Sequence, residues 1–312
     1  MPVIRIALLV VFALSATLAS ADSVCWTSSR LSFAFGSVTA GQSASAITPL
    51  SLQCNNHDPN EAWVRICMNL SKSGMPEMDT NAPDTPLYYA IYAENNPSTA
   101  LTGGSTAASD VVLPLKASSE NQIFPFHLLA KIVPGQRSLQ AGNYFDYDAT
   151  AIVFHYAYSR TKQGLPSCSS MIGQSWTTTV HSEATIKNGC ELISVDPMSF
   201  GAKSPVGHPL LEGSARARVE VRCPLHTSFT VSMDRGQHSL GGSRRMCSGS
   251  ACVTYGLFQD EGHAIPWDDG ANRVTEVSTG VNQSINVYGN IPAQRWPAAG
   301  DYTDSVVVTL SY

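Results

Sequence analysis

The strongest constraint on this chain is that it states one pattern twice. Cys25, Phe33, Phe35, Gly36 and Cys54 in the first half are answered by Cys190, Phe200, Gly201 and Cys223 in the second. A short aromatic segment follows in each half, Tyr88 to Tyr92 and then Tyr255 to Phe258. Next come Ile132 to Arg137 and Ile291 to Arg295. The motif Gly142-x-Tyr144-x-Asp146 then recurs as Gly300-x-Tyr302-x-Asp304, each time leading into an alternating stretch. Whatever one half folds into, the other must be able to fold into as well.

The alternation is that of strands. Tyr302, Val306, Val308, Leu310 and Tyr312 share one face, as do Ile152, Phe154 and Tyr156. Short runs of this kind are separated by Gly, Pro, Asn and Ser, and amphipathic helical spacing is nearly absent. The expectation is an all-β chain of two sandwich units. Each Gly-x-Tyr has two readings: a corner in which the hydroxyl pins the turn, or a plain aromatic core residue.

Targeting and charge narrow the setting. Arg5, the apolar run Ile6 to Ala13 and the small residues Ala19-Ser20-Ala21 read as a secretion signal, giving a mature start at Asp22. The net charge of −5 argues against nucleic acid or an anionic membrane surface as a main partner. Eight cysteines in an exported chain point to disulfides.

The halves differ at their ends. With Gly142 aligned on Gly300, Tyr312 falls on Phe154, and the second half stops there. The first half continues through 159–175 into another strand, 176–186, whose inward positions are Thr178, Val180, Ser182, Ala184 and Ile186. Only Asp22, Ser23 and Val24 of the mature chain precede Cys25, so the second half has a strand before its first cysteine and the first half has none.

Taken in order, Cys190, Phe200-Gly201, Cys223, Tyr255 to Phe258, Tyr288-Gly289 and Gly300-x-Tyr302-x-Asp304 resemble the spore-coat protein U-type domain, the pilin domain of archaic chaperone–usher pili. The first half is a looser match and lacks the Tyr-Gly pair before Ile132. The resemblance implies two immunoglobulin-like sandwiches, the C-terminal one lacking its last strand and completed by a donor strand. It implies three domain segments: signal peptide 1–21, adhesin domain 22–187 closed by its own donor-type strand 176–186, and pilin domain 188–312. The implied partners are a periplasmic chaperone, an outer-membrane usher, the next pilin, which donates a strand, and an abiotic or host surface. The implied place is the extracellular tip of a pilus, reached through the periplasm, with roles in attachment and biofilm formation. No cofactor is implied.

Repeat position pairs Cys25 with Cys54 and Cys190 with Cys223; Cys247 and Cys252 are neighbours that can pin a loop. Cys67 and Cys168 remain, either joined to each other or leaving a free thiol. No nucleophile elbow, phosphate loop or dinucleotide fingerprint occurs, and no metal site or catalysis is expected. Asp146 with Asp148, and Asp268 with Asp269, read as solvated carboxylates; His57 with Asp58 reads as a polar turn; Trp267 and Trp296 read as packing residues.

Alternating strand directions put 55–61, 94–122 and 159–175 at the pole remote from the second half. These stretches carry apolar residues unusual for loops: Val111, Val112, Leu113, Leu115, Leu165, Met171 and Ile172. They are the candidate surface-binding residues. The competing reading makes Val111 to Leu115 a short strand on the core and tucks 165–172 down through a Cys67–Cys168 bridge. Two other functions stay open: a soluble lectin-like binding protein with two complete sandwiches, and a periplasmic enzyme or inhibitor.

Overall fold

The computed structural model describes residues 23–80, 85–104, 109–171 and 174–312. The predicted signal segment 1–21 and Ile172 lie outside the described residues. The first unit contains β1 (Val24–Trp26), β2 (Leu31–Val38), β3 (Ser45–Asn56), β4 (Ala62–Leu70), β5 (Glu77–Met78), β6 (Leu87–Ala93), β7 (Asn96–Ala100), β8 (Ser109–Leu115), β9 (Ser119–Ile132), β10 (Gly142–Ser159) and β11 (Gln174–Ile186). The second contains β12 (Glu191–Val195), β13 (Leu211–Arg222), β14 (Ser228–Met233), β15 (Arg244–Ser248), β16 (Ala251–Phe258), β17 (Val274–Val277), β18 (Gln283–Gln294) and β19 (Val308–Ser311). The chain is all-β, in two immunoglobulin-like sandwiches.

One sheet is the same in both units. Its order is β1-β3-β9-β6-β5 in the first and β12-β13-β18-β16-β15 in the second, with β7 added beside β6. The other sheet is not. It runs β2-β11-β10-β4-β8 in the first unit and stops at β19-β14-β17 in the second. By order and pairing β19 corresponds to β10, so no strand stands in the places of β11 and β2 among the described residues. The two losses have one cause. β2 pairs only with β11, in parallel, from Leu31↔Val180 to Val38↔Ile186. A segment in the place of β2 has no ladder to join when the strand between is missing, and 196–210 is accordingly irregular.

Inside each unit the repeated motif makes one repeated contact set. The Tyr144 hydroxyl donates to the Gln140 carbonyl at 3.1 Å, and that of Tyr302 to the Ala298 carbonyl at 2.6 Å. Both are therefore corners, each hydroxyl bonding the backbone four residues upstream. The Tyr89 hydroxyl donates to Asp146 at 2.8 Å and the Tyr255 hydroxyl to Asp304 at 2.7 Å. Phe35 meets Tyr89 edge-on at 5.9 Å, and Phe200 meets Tyr255 at 6.1 Å. The glycine after each phenylalanine is left-handed, φ 67° at Gly36 and 71° at Gly201, which is why glycine recurs there.

Asp146 corrects the expectation of a solvated carboxylate. It is 2% exposed, and besides Tyr89 it accepts the amides of Ala149 at 2.9 Å and Thr150 at 3.2 Å, fixing the bulge where β10 shifts register on β11. Burial pushes the Tyr89 hydroxyl above the ordinary phenol range, so it stays a donor.

All eight cysteines are paired. Cys25–Cys54 joins directly opposed residues of β1 and β3, and Cys190–Cys223 sits at the same place in the second unit. Cys247–Cys252 crosses the β15–β16 hairpin. Cys67–Cys168 ties β4 to the segment before β11 across 101 residues. Trp267 is fully buried and donates its indole N–H to the Val231 carbonyl at 3.0 Å.

Asp146→Ala should cost about 3–5 kcal/mol, because one buried hydroxyl and two backbone amides lose their acceptor together. Tyr144→Phe removes a single bond and should cost about 1 kcal/mol. Urea unfolding of the two variants should separate them in that order. In hydrogen exchange, β19 amides should exchange at least about tenfold faster than those of β10 at 152–156, since β19 is paired on one side only.

Candidate functional site: the open edge of the second sandwich

The closing of the first unit shows what such an edge needs. β10 pairs with β11 from Gly142↔Ile186 to Tyr156↔Gln174, and with β4 on its other side from Ile152↔Leu70 to Ser159↔Trp63. Val180, Ser182, Ala184 and Ile186 point inward and are buried, Thr178 is half-buried, and Trp176 stacks on Phe154 at 4.7 Å. These residues seal the core beneath them: Tyr144, Ile152, Phe154, Leu31 and Phe33 are each 0% exposed. Threonine and valine suit β11 because β-branched side chains pack well on a pleated surface.

In the second unit the same row is only half-buried. Tyr302, Val306, Val308 and Leu310 flank a gap on one side, with Met198 and Phe200 on the other. β19 meets β14 from Val308↔Met233 to Ser311↔Thr230 and has no ladder partner on its other edge among the described residues. The result is an apolar groove beside an unpaired strand, the feature that soluble proteins ordinarily avoid.

The groove has a firm floor. Gly289 in β18 lies under Met198 and Phe200, and a Cβ there would sit 2.2 Å from the Met198 sulfur. That explains the Tyr288-Gly289 signature. Arg244 is buried and donates to the carbonyls of Met233 at 2.9 Å, Asp234 at 2.8 Å and Trp267 at 2.7 Å, anchoring the end of β14. Asp304 accepts the amides of Gln237 at 3.0 Å and His238 at 3.2 Å as well as the Tyr255 hydroxyl, holding the loop after β14 against the corner. The sequence pointed to Asp304 through its motif. Arg244 gave no signal, because its acceptors are backbone carbonyls, which have no sequence signature.

The structure decides between the two placements offered for the predicted apolar residues. Val111, Val112, Leu113 and Leu115 lie in β8, not in a loop, and β8 pairs with β4 from Ala62↔Leu115 to Met68↔Ser109. Leu115 and Leu165 are buried; Val111, Val112, Leu113 and Met171 are half-buried. A loop over 94–122 is likewise replaced by β7, β8 and the start of β9. Burial is the physical reason: Val111 and Leu113 pack on the core, and the Cys67–Cys168 bond draws 165–171 down onto β4. The remote pole is polar. Asn56 bonds the carbonyls of Asn60 and Lys116, each at 2.9 Å, and Asp58 accepts from Arg160 at 2.8 Å.

Asp268 accepts the amides of Gly270 at 2.9 Å and Asn272 at 3.0 Å, which is the work of a turn. No group of three or more metal-ligating side chains occurs among the described residues.

Comparison with known proteins places this geometry. The chain is similar to a chain of the CsuC–CsuE chaperone–tip adhesion subunit pre-assembly complex from the archaic chaperone–usher Csu pili of Acinetobacter baumannii, with a TM-score of 0.53 and 14% identity, over 93% of this chain and 100% of that one. It is also similar to the CupB6 tip adhesin of Pseudomonas aeruginosa, with a TM-score of 0.39 and 10% identity, over 92% of this chain and 93% of that one. No curated protein sequence matches it. The sequence model of the Spore Coat Protein U domain matches residues 10–148 and again 176–309, so the second match begins within β11 and reaches β19. The chain belongs to the Spore Coat Protein U domain family, which it carries twice.

Proposed function

We propose that this chain is a tip adhesin subunit of an archaic chaperone–usher pilus: the first sandwich attaches to a surface and the second accepts a strand from outside the chain. The boundary between them falls at Lys187 and Asn188, where β11 ends and the chain enters the second unit. The observation that carries the reading is the unpaired edge of β19, set beside the same edge of β10 that β11 fills. The family match adds to it. By sequence β11 opens the second repeat, yet by pairing it closes the first unit. A strand that heads one unit and completes its predecessor is the device by which such units can be strung together.

The first unit supplies a template for the occupant. A strand lying on β19 as β11 lies on β10, without the bulge at Asp148 because the counterpart Val306 is not left-handed and packs inward, would set its Val180 position opposite Val306 and its Thr178 position opposite Val308. Its Ser182 position would lie opposite Asp304, and its Ala184 position opposite Tyr302. A periplasmic chaperone fills the groove during export, an usher passes the subunit across the outer membrane, and the next pilin supplies the lasting strand. The location is extracellular, and attachment serves biofilm formation. Of the apolar residues in β8 and at 165–171, Leu115 and Leu165 are buried and Val111, Val112, Leu113 and Met171 half-buried, so this set offers a surface little free apolar area.

The test is a self-complemented chain, with the sequence 174–187 added after Tyr312 through a short flexible linker. It should purify without a chaperone, and its second unit should melt at least about 10 °C higher than in the unmodified chain, since several apolar side chains are buried at once. Asp at the added Val180 position should abolish the gain. An unmodified chain that purifies as a stable monomer, with β19 amides as protected as those of β10, would sink the reading.

A further inference from the structure

The repeat also works as an internal control on residues that the fold does not need. Inward positions agree between the halves: Tyr144 with Tyr302, Asp146 with Asp304. The outward positions between and after them do not. Phe145 and Tyr147 stand where the second unit has Thr303 and Ser305. The strand geometry therefore does not ask for rings there, yet the first unit places two on its outer face.

Those rings are organised. Phe145 stacks on Tyr147 with centroids 5.1 Å apart and planes 15° apart, and His181 of β11 leans on Tyr147 at 4.8 Å. Tyr147 nonetheless remains 64% exposed. A large side chain held in position while exposed is pre-organised, so little freedom would be lost when a ligand covers it. Tyr147 and His181 edge a shallow depression of about 350 Å³ whose other lining residues are Arg30 and Ser32. That volume is at the small end for ligand sites. Arg30 is paired with Asp148 at 3.0 Å, and Asp148 is left-handed, φ 64°, at the bulge that follows Tyr147. Bulges commonly re-aim side chains at sites.

We infer that this face of the first sandwich is a binding site for a neutral pyranose residue of a glycan. A pyranose has one apolar C–H face and a rim of hydroxyls. The Tyr147 ring, braced by Phe145, offers a surface for the first; the guanidinium of Arg30, the hydroxyl of Ser32 and the imidazole of His181 suit the second. Asp148 balances the charge of Arg30, which favours a neutral sugar over an acidic one. The site does not depend on how the second unit is completed, so it stands or falls separately from the strand-accepting groove.

Saturation-transfer NMR on the full chain completed by the added 174–187 strand, with methyl glycosides of glucose, galactose, mannose and N-acetylglucosamine, tests it. At least one glycoside should receive saturation at its ring C–H protons at up to about 10 mM, the range of single-residue affinities. Phe145→Thr with Tyr147→Ser, the pair that the second unit already carries, should weaken binding at least about tenfold, whereas Tyr147→Phe should keep it within about threefold because the ring face survives. Arg30→Ala, outside the strands, should also weaken binding and guards against a double variant that fails to fold. No transfer from any of the four glycosides overturns the inference. So does transfer that survives both the double variant and Arg30→Ala, or equal transfer to adenosine, which would mean mere ring stacking. If the rings serve only as a cross-strand prop for β10 and β11, the double variant will lower the melting temperature and no glycoside will bind.

Discussion

Strand β2 has a backbone ladder with one neighbour among the described residues, and that neighbour is β11. A strand edge with unmet amides and carbonyls is unfavourable when buried, so β2 exists as a strand only while β11 lies between it and β10. One segment thus accounts for two strands and for the cover over five fully buried core side chains. The second unit shows the same architecture with that segment withdrawn. Phe200 still rests on Tyr255 as Phe35 rests on Tyr89, so the chain in the place of β2 is positioned by its side chains, but it forms no ladder. Side-chain packing can therefore hold the shape of an incomplete sandwich, while backbone pairing waits for a partner.

Much of this was legible in the sequence because the repeat compares the chain with itself. Alignment of Gly142 with Gly300 exposed the extra strand in the first half, and alternation over 176–186 showed which residues of β11 face inward. The Gly-x-Tyr-x-Asp motif was visible too, with the tyrosine corner as one of its two readings, but the role of its aspartate was not. Asp146 looks solvated in sequence because its partner Tyr89 lies 57 residues away. Val111 to Leu115 stayed open between loop and strand for a different reason. Five residues are too few for alternation to distinguish a strand from an apolar loop, and only the ladder with β4 decides it. Arg244 was illegible altogether.

The repeat separates two kinds of selection on one strand. Along β10, Tyr144 and Asp146 are matched in the second unit and bond inward; Phe145 and Tyr147 are unmatched and face out. Residues that serve the sandwich and residues free to serve something else alternate by the pleat itself. A binding face on such a strand can change without disturbing the core, because every second side chain never enters it.

The Cys67–Cys168 bond has a mechanical consequence. β11 leaves the first unit at Ile186 toward the junction, and its other end begins six residues after Cys168, which is fastened to β4. A pull applied at the junction runs along the axis of β11 and loads its ladders with β10 and β2 in shear, many bonds at once. Should those ladders slip, the covalent link at Cys168 stops the chain from paying out further. The first sandwich is built like a rope gripped along its length and knotted behind the grip.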